Sequence, residues 1–332
     1  MTKLPMPSTE FETLLTHTTQ VLERASKDGG HPKRPRLYLP YPKQMAFHEA
    51  GLAHRERLFL AGNQLGKTMA GAFEEAAHAT GKYPIWWAGR RFDRPTHSWV
   101  AGVTGESTRD TVQRALIGES GRGGGALRRR DVAANIAARN GVPGLVDTLR
   151  INHVSGGIST IAFKSYEKGR EKWQGATLDR VWFDEEPPFD IYTEGLTRTN
   201  ATGGLVVLTL TPLLGMSELL NAFLETPTQD RKVIQMTIDD AFHYTDADRA
   251  RIIAAYPPHE REARARGIPA LGSGRIFPIE EAAIAVDAFE IPRHWPQIAG
   301  IDYLGYTGGR RPPAQPRGRP FCVPWLPIAA WD

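Results

Sequence analysis

One eight-residue string, Ala61-Gly-Asn-Gln-Leu-Gly-Lys-Thr68, limits what this chain can fold into more than any other feature, because of what flanks it. An apolar run, Leu58 to Leu60, precedes it, and a helix-like segment, Met69 to His78, follows. A strand, a glycine-containing turn and a helix in that order make a phosphate-binding loop. Successive backbone N–H groups and the helix N-terminus point at phosphate, Lys67 reaches the β- and γ-phosphates, and the Thr68 hydroxyl ligates Mg2+. The string predicts an ATP site held by Gly62, Asn63, Gln64, Gly66, Lys67 and Thr68. The pattern usually opens on glycine; here Ala61 stands first, with Gly62 beside it to supply the flexibility.

A phosphate loop needs a second strand that carries a carboxylate, and Arg180-Val-Trp-Phe-Asp-Glu-Glu186 supplies one. Its apolar residues bury the strand and Asp184 emerges at its end, placed to hold Mg2+, while Glu185 polarises the attacking water. A glutamate directly after the metal aspartate separates hydrolysing ATPases from nucleotide kinases and GTPases. Upstream, Tyr41-Pro-Lys-Gln44 lies where several ATP-driven nucleic-acid motors place a glutamine that reads both edges of adenine. Gln44 is the candidate reader, with Tyr41 or Phe47 as stacking partners. After the acidic strand, Leu208-Thr-Leu-Thr-Pro212 ends another apolar run, so Thr209 and Thr211 are candidates to sense hydrolysis and couple it to nucleic acid.

The chain has 332 residues, enough for a full α/β core and a further unit. Its 41 Lys and Arg against 37 Asp and Glu leave a net charge of +4, a weak pointer to a polyanionic partner. Cys322 is its one cysteine, which excludes an intramolecular disulfide and a cysteine-rich metal site. No N-terminal apolar stretch reads as a signal peptide or membrane span, so a cytoplasmic protein without a membrane partner is expected.

Residues 8 to 27 place apolar side chains at helical spacing, and Lys27 to Arg36 reads as a basic linker. From Arg57, strand-like runs (Leu58–Leu60, Ser98–Val103, Arg180–Asp184, Leu205–Leu210, Val233–Ile238) alternate with helical segments, which predicts a mainly parallel sheet covered by helices. Leu149–Val154 and Ile158–Lys164 around Ser155-Gly156-Gly157 predict an inserted hairpin. Arg261 to Pro278 is charged and glycine-containing and reads as a linker. Gln297–Tyr303 then starts a new strand, and Arg310 to Pro320 is too rich in Arg, Pro and Gly to bury apolar area.

Taken together, Gln44, the loop 61 to 68, Asp184–Glu185 followed by Glu186-Pro187-Pro188, and Thr209–Pro212 resemble the ATPase domain of large terminase subunits, the DNA-packaging motors of tailed bacteriophages and prophages. The resemblance extends from about Tyr38 to Tyr303 and implies an α/β fold: a three-layer P-loop NTPase of the ASCE type (additional strand, catalytic glutamate). It implies residues 1–36 as N-terminal helix and linker, 37–260 as the ATPase domain, 261–296 as a linker including Gly272-Ser-Gly-Arg-Ile-Phe-Pro278, and 297–332 as an incomplete RNase H-like remnant. In that remnant Asp302 of Ala299-Gly-Ile-Asp-Tyr303 takes the position of the first nuclease metal ligand. With no further acid before Asp332, a truncated nuclease without activity is expected. Many members carry an arginine inside the loop where this chain has Asn63, so the resemblance puts a charge-stabilising arginine elsewhere, with Arg109 or Arg114 of a neighbouring subunit as candidates. The partners implied are double-stranded DNA, the small terminase subunit, the portal protein of a procapsid, and further copies in a ring, in the cytoplasm of a bacterial host. A helicase or remodelling ATPase, and a prophage relic retaining only binding functions, are the alternatives.

Overall fold

The structure is a computed structural model that describes residues 38–119, 124–133, 137–138 and 142–269. The helix predicted over 8 to 27, the basic linker, Asp302 and the Pro/Arg-rich terminus lie outside the described residues.

The described chain enters at helix α1 (Pro42–Ala50), with Pro42 in the first turn, where a missing N–H is no loss. Strand β1 (Glu56–Ala61) is buried throughout and leads through the loop into helix α2 (Lys67–Thr80). After these come β2 (His97–Gly102), a helical segment over 105–117, the two-residue β3 (Ala137–Ala138), β4 (Val146–Asn152) and β5 (Ile158–Ser165). The series continues with β6 (Arg180–Asp184), α3 (Phe189–Arg198), β7 (Leu205–Leu210), α4 (Glu218–Leu224), β8 (Arg231–Met236) and α5 (Asp246–Ala254). The strand predicted to reach Ile238 ends at Met236, because the Thr237 side chain accepts from Asp239 N and starts a 3-10 turn, Ile238–Asp240.

One eight-stranded sheet runs in the order β3-β4-β5-β2-β6-β7-β1-β8. All pairs from β5 to β8 are parallel, and β4 is antiparallel to both β3 and β5, which is the inserted hairpin at the sheet edge. Strand β7 lies between β1 and β6, so the loop strand and the acidic strand are separated by the additional strand of the ASCE arrangement. Alternate residues of the central strands feed two cores. Phe59, Val100, Trp182 and Val207 pack with Phe47 of α1, Ala70 and Ala72 of α2, and Val112 and Leu116. Leu58, Leu60, Val181, Phe183 and Leu208 pack with Ile191 and Tyr192 of α3 and with Leu219 and Phe223 of α4. Helices on both faces of the sheet make three layers.

Two arginines interrupt the apolar strands. Arg57 of β1 and Arg180 of β6 are fully buried and reach Glu74 of α2 at 2.6 and 3.0 Å, while Arg180 also lies 3.0 Å from Glu75. Ser98 of β2 donates to Glu75, and His48 of α1 sits 2.7 Å from Glu74. Removing one member of such a group strands a buried charge at a cost of about 3–5 kcal/mol. The group therefore keys α2 to three strands and fixes where Lys67 and Thr68, at the start of α2, meet the sheet.

The linker predicted from residue 261 does not begin there. Glu262–Arg266 forms a helical turn whose Ala263 and Ala265 are buried, and the Arg264 carbonyl accepts the Asn63 N–H at 2.7 Å. The small residues of this turn face the phosphate loop and Glu262 and Arg266 face solvent, which is why a charged composition masks a packed element.

Candidate functional site

Three strand ends build the site. Leu60 of β1 pairs with Leu210 of β7, and Asp184 of β6 pairs with Thr209 of β7, so Ala61, Glu185 and Thr211 lie together at the C-terminal ends of three adjacent parallel strands. The loop between Ala61 and Lys67 is held from outside by the 262–266 turn. A side chain at Gly62 would put its Cβ 2.5 Å from the Arg264 carbonyl oxygen, so only glycine fits this approach. Two non-glycine residues among those described adopt left-handed backbone, Gln64 at φ 57° and Glu185 at φ 62°. Both belong to the site, where strained backbone collects when the surrounding structure enforces it.

Lys67 is 7% exposed and its ammonium donates to Gly62 O at 2.9 Å and to Thr211 Oγ1 at 2.6 Å. Burial pulls its pKa below the ordinary lysine value, while Glu185 and Asp184 oppose that shift. The Thr211 hydroxyl has its one proton within reach of Ala61 O at 3.1 Å and Asn63 Oδ1 at 3.2 Å. Thr68 Oγ1 donates to Asp184 at 3.0 Å, and Thr209 Oγ1 donates to the same carboxylate at 2.7 Å. Glu185 is exposed at the mouth, with its N–H on Thr209 O at 2.9 Å and its Oε2 accepting from Thr211 N at 3.4 Å. The structure thus brings Gly62, Asn63, Lys67, Thr68, Asp184, Glu185, Thr209 and Thr211 together.

A hydroxyl and a carboxylate 3.0 Å apart are hard oxygen donors suited to Mg2+. Among the described residues no group of three or more His, Cys, Asp or Glu could hold a metal, so a divalent ion here would complete its shell with water and phosphate oxygens. Nor is any helix among them long and apolar enough to cross a membrane.

Burial, reinforced by the nearby Glu185 charge, pushes the Asp184 carboxyl up to about 7, against the lowering effect of Thr209, Thr68 and Lys67. Between about pH 4 and pH 7 the folded chain therefore keeps a proton that the unfolded chain has lost, and stability falls as pH rises through that window. In EDTA, Asp184→Asn is expected to gain stability over wild type progressively from pH 4 to above pH 7, on the order of 2–4 kcal/mol at the top. Thermal melts of both proteins across that range check this, and a pH-independent difference refutes it.

Gln44 is not free to meet a base as expected. It is 2% exposed, its amide nitrogen donates to Leu65 O at 3.3 Å and Gly66 O at 3.2 Å, and its oxygen accepts from Tyr41 N at 3.0 Å. Phe47 is corrected as a stacking partner, because it is fully buried against Phe59, ring centres 5.0 Å apart. Tyr41 faces Phe242 edge-on at 4.8 Å, and Phe242 itself is 71% exposed. With both ends of its amide committed to the loop and to α1, Gln44→Ala is expected to weaken ATP and GTP alike, by about 1 kcal/mol. Titrating both nucleotides decides: a loss confined to ATP returns Gln44 to the base.

Arg109 and Arg114 are each tied to a carboxylate of their own chain, Arg109 to Asp110 at 2.7 Å and Arg114 to Glu119. Three contributors escaped the sequence reading. Tyr166 donates to the carbonyls of Asp184 and Glu185 at 3.0 Å each, Trp182 donates to Thr209, and the Arg264 carbonyl holds the loop. Only Trp182 left a signal, an aromatic donor two residues before Asp184 and so on the same face of β6.

The family model described as terminase large subunit, T4likevirus-type, N-terminal, matches residues 58–284. The chain is 45% identical over 307 residues to the large terminase subunit of Salmonella phage P22, a match covering 86% of this chain and 61% of that protein. It is 46% identical over 144 residues to the large terminase subunit of Enterobacteria phage LP7, covering 43% of this chain and 30% of that one. The chain thus spans about three fifths of the P22 relative's length. Among solved structures, the large terminase of a thermophilic bacteriophage in complex with ADP superposes with a TM-score of 0.49 at 17% identity, over 69% of this chain and 52% of that one. The Thermus phage P74-26 large terminase ATPase domain gives a TM-score of 0.46 at 18% identity, over 69% and 93%.

Proposed function

The chain belongs to the terminase large subunit family, and from that premise we propose that it is an ATP-hydrolysing motor that drives double-stranded DNA into a procapsid. The observation that carries this reading is the meeting, at the C-terminal ends of adjacent parallel strands, of a buried lysine, a hydroxyl paired with a metal-type carboxylate, and an exposed glutamate. Lys67 and the N–H groups at the start of α2 bind the β- and γ-phosphates. Thr68 and Asp184 would hold Mg2+, which would neutralise charge developing on the phosphates. Glu185 accepts a proton from the attacking water. Thr209 and Thr211, which touch Asp184 and Lys67, respond to loss of the γ-phosphate and pass the change to β7. Gln44 and Arg264 O keep the loop in shape.

Double-stranded DNA, the small terminase subunit, the portal protein and further copies in a ring are the proposed partners, in the cytoplasm of a bacterial host. Nuclease chemistry is not proposed for these 332 residues, because residues 297–332 contain two acids, Asp302 and Asp332, and a two-metal site needs several shared carboxylates. Measuring ATP hydrolysis with and without double-stranded DNA and procapsids tests the motor reading. Stimulation by both is expected, and hydrolysis indifferent to both would overturn it.

A further inference from the structure

We propose that Trp182 is a positioning residue for the metal-binding carboxylate, acting through Thr209 and holding both Asp184 and helix α2 to one buried ring. The inference rests on the reading of Asp184 as an Mg2+ ligand. Trp182 is fully buried, two residues before Asp184 on β6, so the two side chains share a face. Its indole N–H lies 2.8 Å from Thr209 Oγ1, and Thr209 Oγ1 lies 2.7 Å from Asp184 Oδ1.

Donor and acceptor identity fixes the direction of this chain. An indole nitrogen can only donate, so Thr209 accepts from it and its own proton must go elsewhere. The acceptors in reach are Asp184 Oδ1 at 2.7 Å and Phe183 O at 3.4 Å, and the first is much the better hydrogen bond. Trp182 thereby aims the Thr209 proton at the carboxylate and, with the Thr68 hydroxyl at 3.0 Å, holds Oδ1 in one orientation. Without the indole N–H, the Thr209 oxygen is left buried with an unfilled lone pair and a hydroxyl free to turn.

The ring does a second thing. A Cβ at Gly71 of α2 would lie 2.3 Å from Cε2 of Trp182, so the helix backbone rests directly on the indole. Helix α2 begins with Lys67 and Thr68. One rigid side chain thus sets both the orientation of Asp184 and the height of the helix that brings Thr68 to it.

The test compares the 332-residue wild type with Trp182→Phe and, as a control for losing a buried indole, Trp173→Phe. Trp173 is fully buried in the opposite core and its indole nitrogen has no hydrogen-bond partner, so its loss removes packing but no hydrogen bond. The readouts are the Mg2+ concentration giving half of the thermal stabilisation by ADP, and that giving half-maximal ATP hydrolysis. Trp182→Phe is expected to raise both by about five- to tenfold, the scale of one lost hydrogen bond supporting a charged group, with Trp173→Phe within about twofold of wild type. A Trp182→Phe requirement within about twofold of wild type, or an equal rise in Trp173→Phe, overturns the inference. If Trp182→Phe fails to melt cooperatively, benzothienylalanine at position 182 keeps the ring volume, lacks the N–H, and carries the same expectation and the same refutation. Wild type without Mg2+-dependent hydrolysis overturns the reading of the site and this inference with it; hydrolysis with an unmoved metal requirement in the variant overturns the inference alone.

Discussion

Lys67→Ala is expected to lower ATP turnover by about 10²–10³-fold, the scale for deleting one preorganised charge from a transition state. The Lys67 ammonium is buried between Gly62 O at 2.9 Å and Thr211 Oγ1 at 2.6 Å, at the end of the loop proposed to cradle phosphate, so it would reach charge without crossing water. Negative charge builds on the oxygen between the β- and γ-phosphates toward a loose transition state, and a fixed cation that reaches both phosphates favours that state over the bound ground state. Because burial already disfavours the charged lysine, its removal is expected to leave the fold intact, without a fall in the thermal midpoint. Steady-state hydrolysis measured beside a melt separates the two effects. Turnover within tenfold of wild type in a folded variant would remove Lys67 from catalysis.

Glu185→Gln separates binding from chemistry. The carboxylate is exposed, its Oε2 accepts from Thr211 N at 3.4 Å, and an amide oxygen of the same size can accept there too. No hydrogen bond among those described joins Glu185 to the phosphate loop, so nucleotide affinity should stay within about threefold of wild type. What the amide cannot do is take a proton from water, and turnover is expected to drop by at least ~10²-fold. Equilibrium binding of ATP and single-turnover hydrolysis on the same sample check both halves. Equal turnover in variant and wild type means that another group takes the proton.

The parts legible in the sequence were those written locally. The loop at 61–68, the apolar strand ending in Asp184, the hairpin around Gly156-Gly157 and the threonines of β7 each depend on neighbours within a few residues, so their patterns survive in one dimension. Strand order does not. That β7 lies between β1 and β6 is decided by pairing across the sheet, and three apolar runs look alike from their composition. Arg57 and Arg180 were unreadable for a related reason, since the carboxylates that neutralise them sit on α2 and not nearby in the chain. Gln44 was legible as a site residue but not in its bonds: a side-chain amide can serve a base or a backbone carbonyl equally well, and only the distance to Leu65 and Gly66 decides. The 261–269 segment was misjudged because its inward residues are alanine and glycine, whose use is to let backbone approach backbone, and small residues leave no hydrophobic signature.

That last contact sets where the smallest self-sufficient piece of this protein can be cut. A fragment ended at residue 260, the boundary its composition invites, would lose the carbonyl that receives the Asn63 amide hydrogen and the wall that Gly62 rests against, although every recognised nucleotide-binding motif would still be present. The shortest piece that preserves the loop runs past Gly267. The turn at 262–267 is thus also one wall of the phosphate loop, and any pull on the chain just after it is applied within one hydrogen bond of that loop.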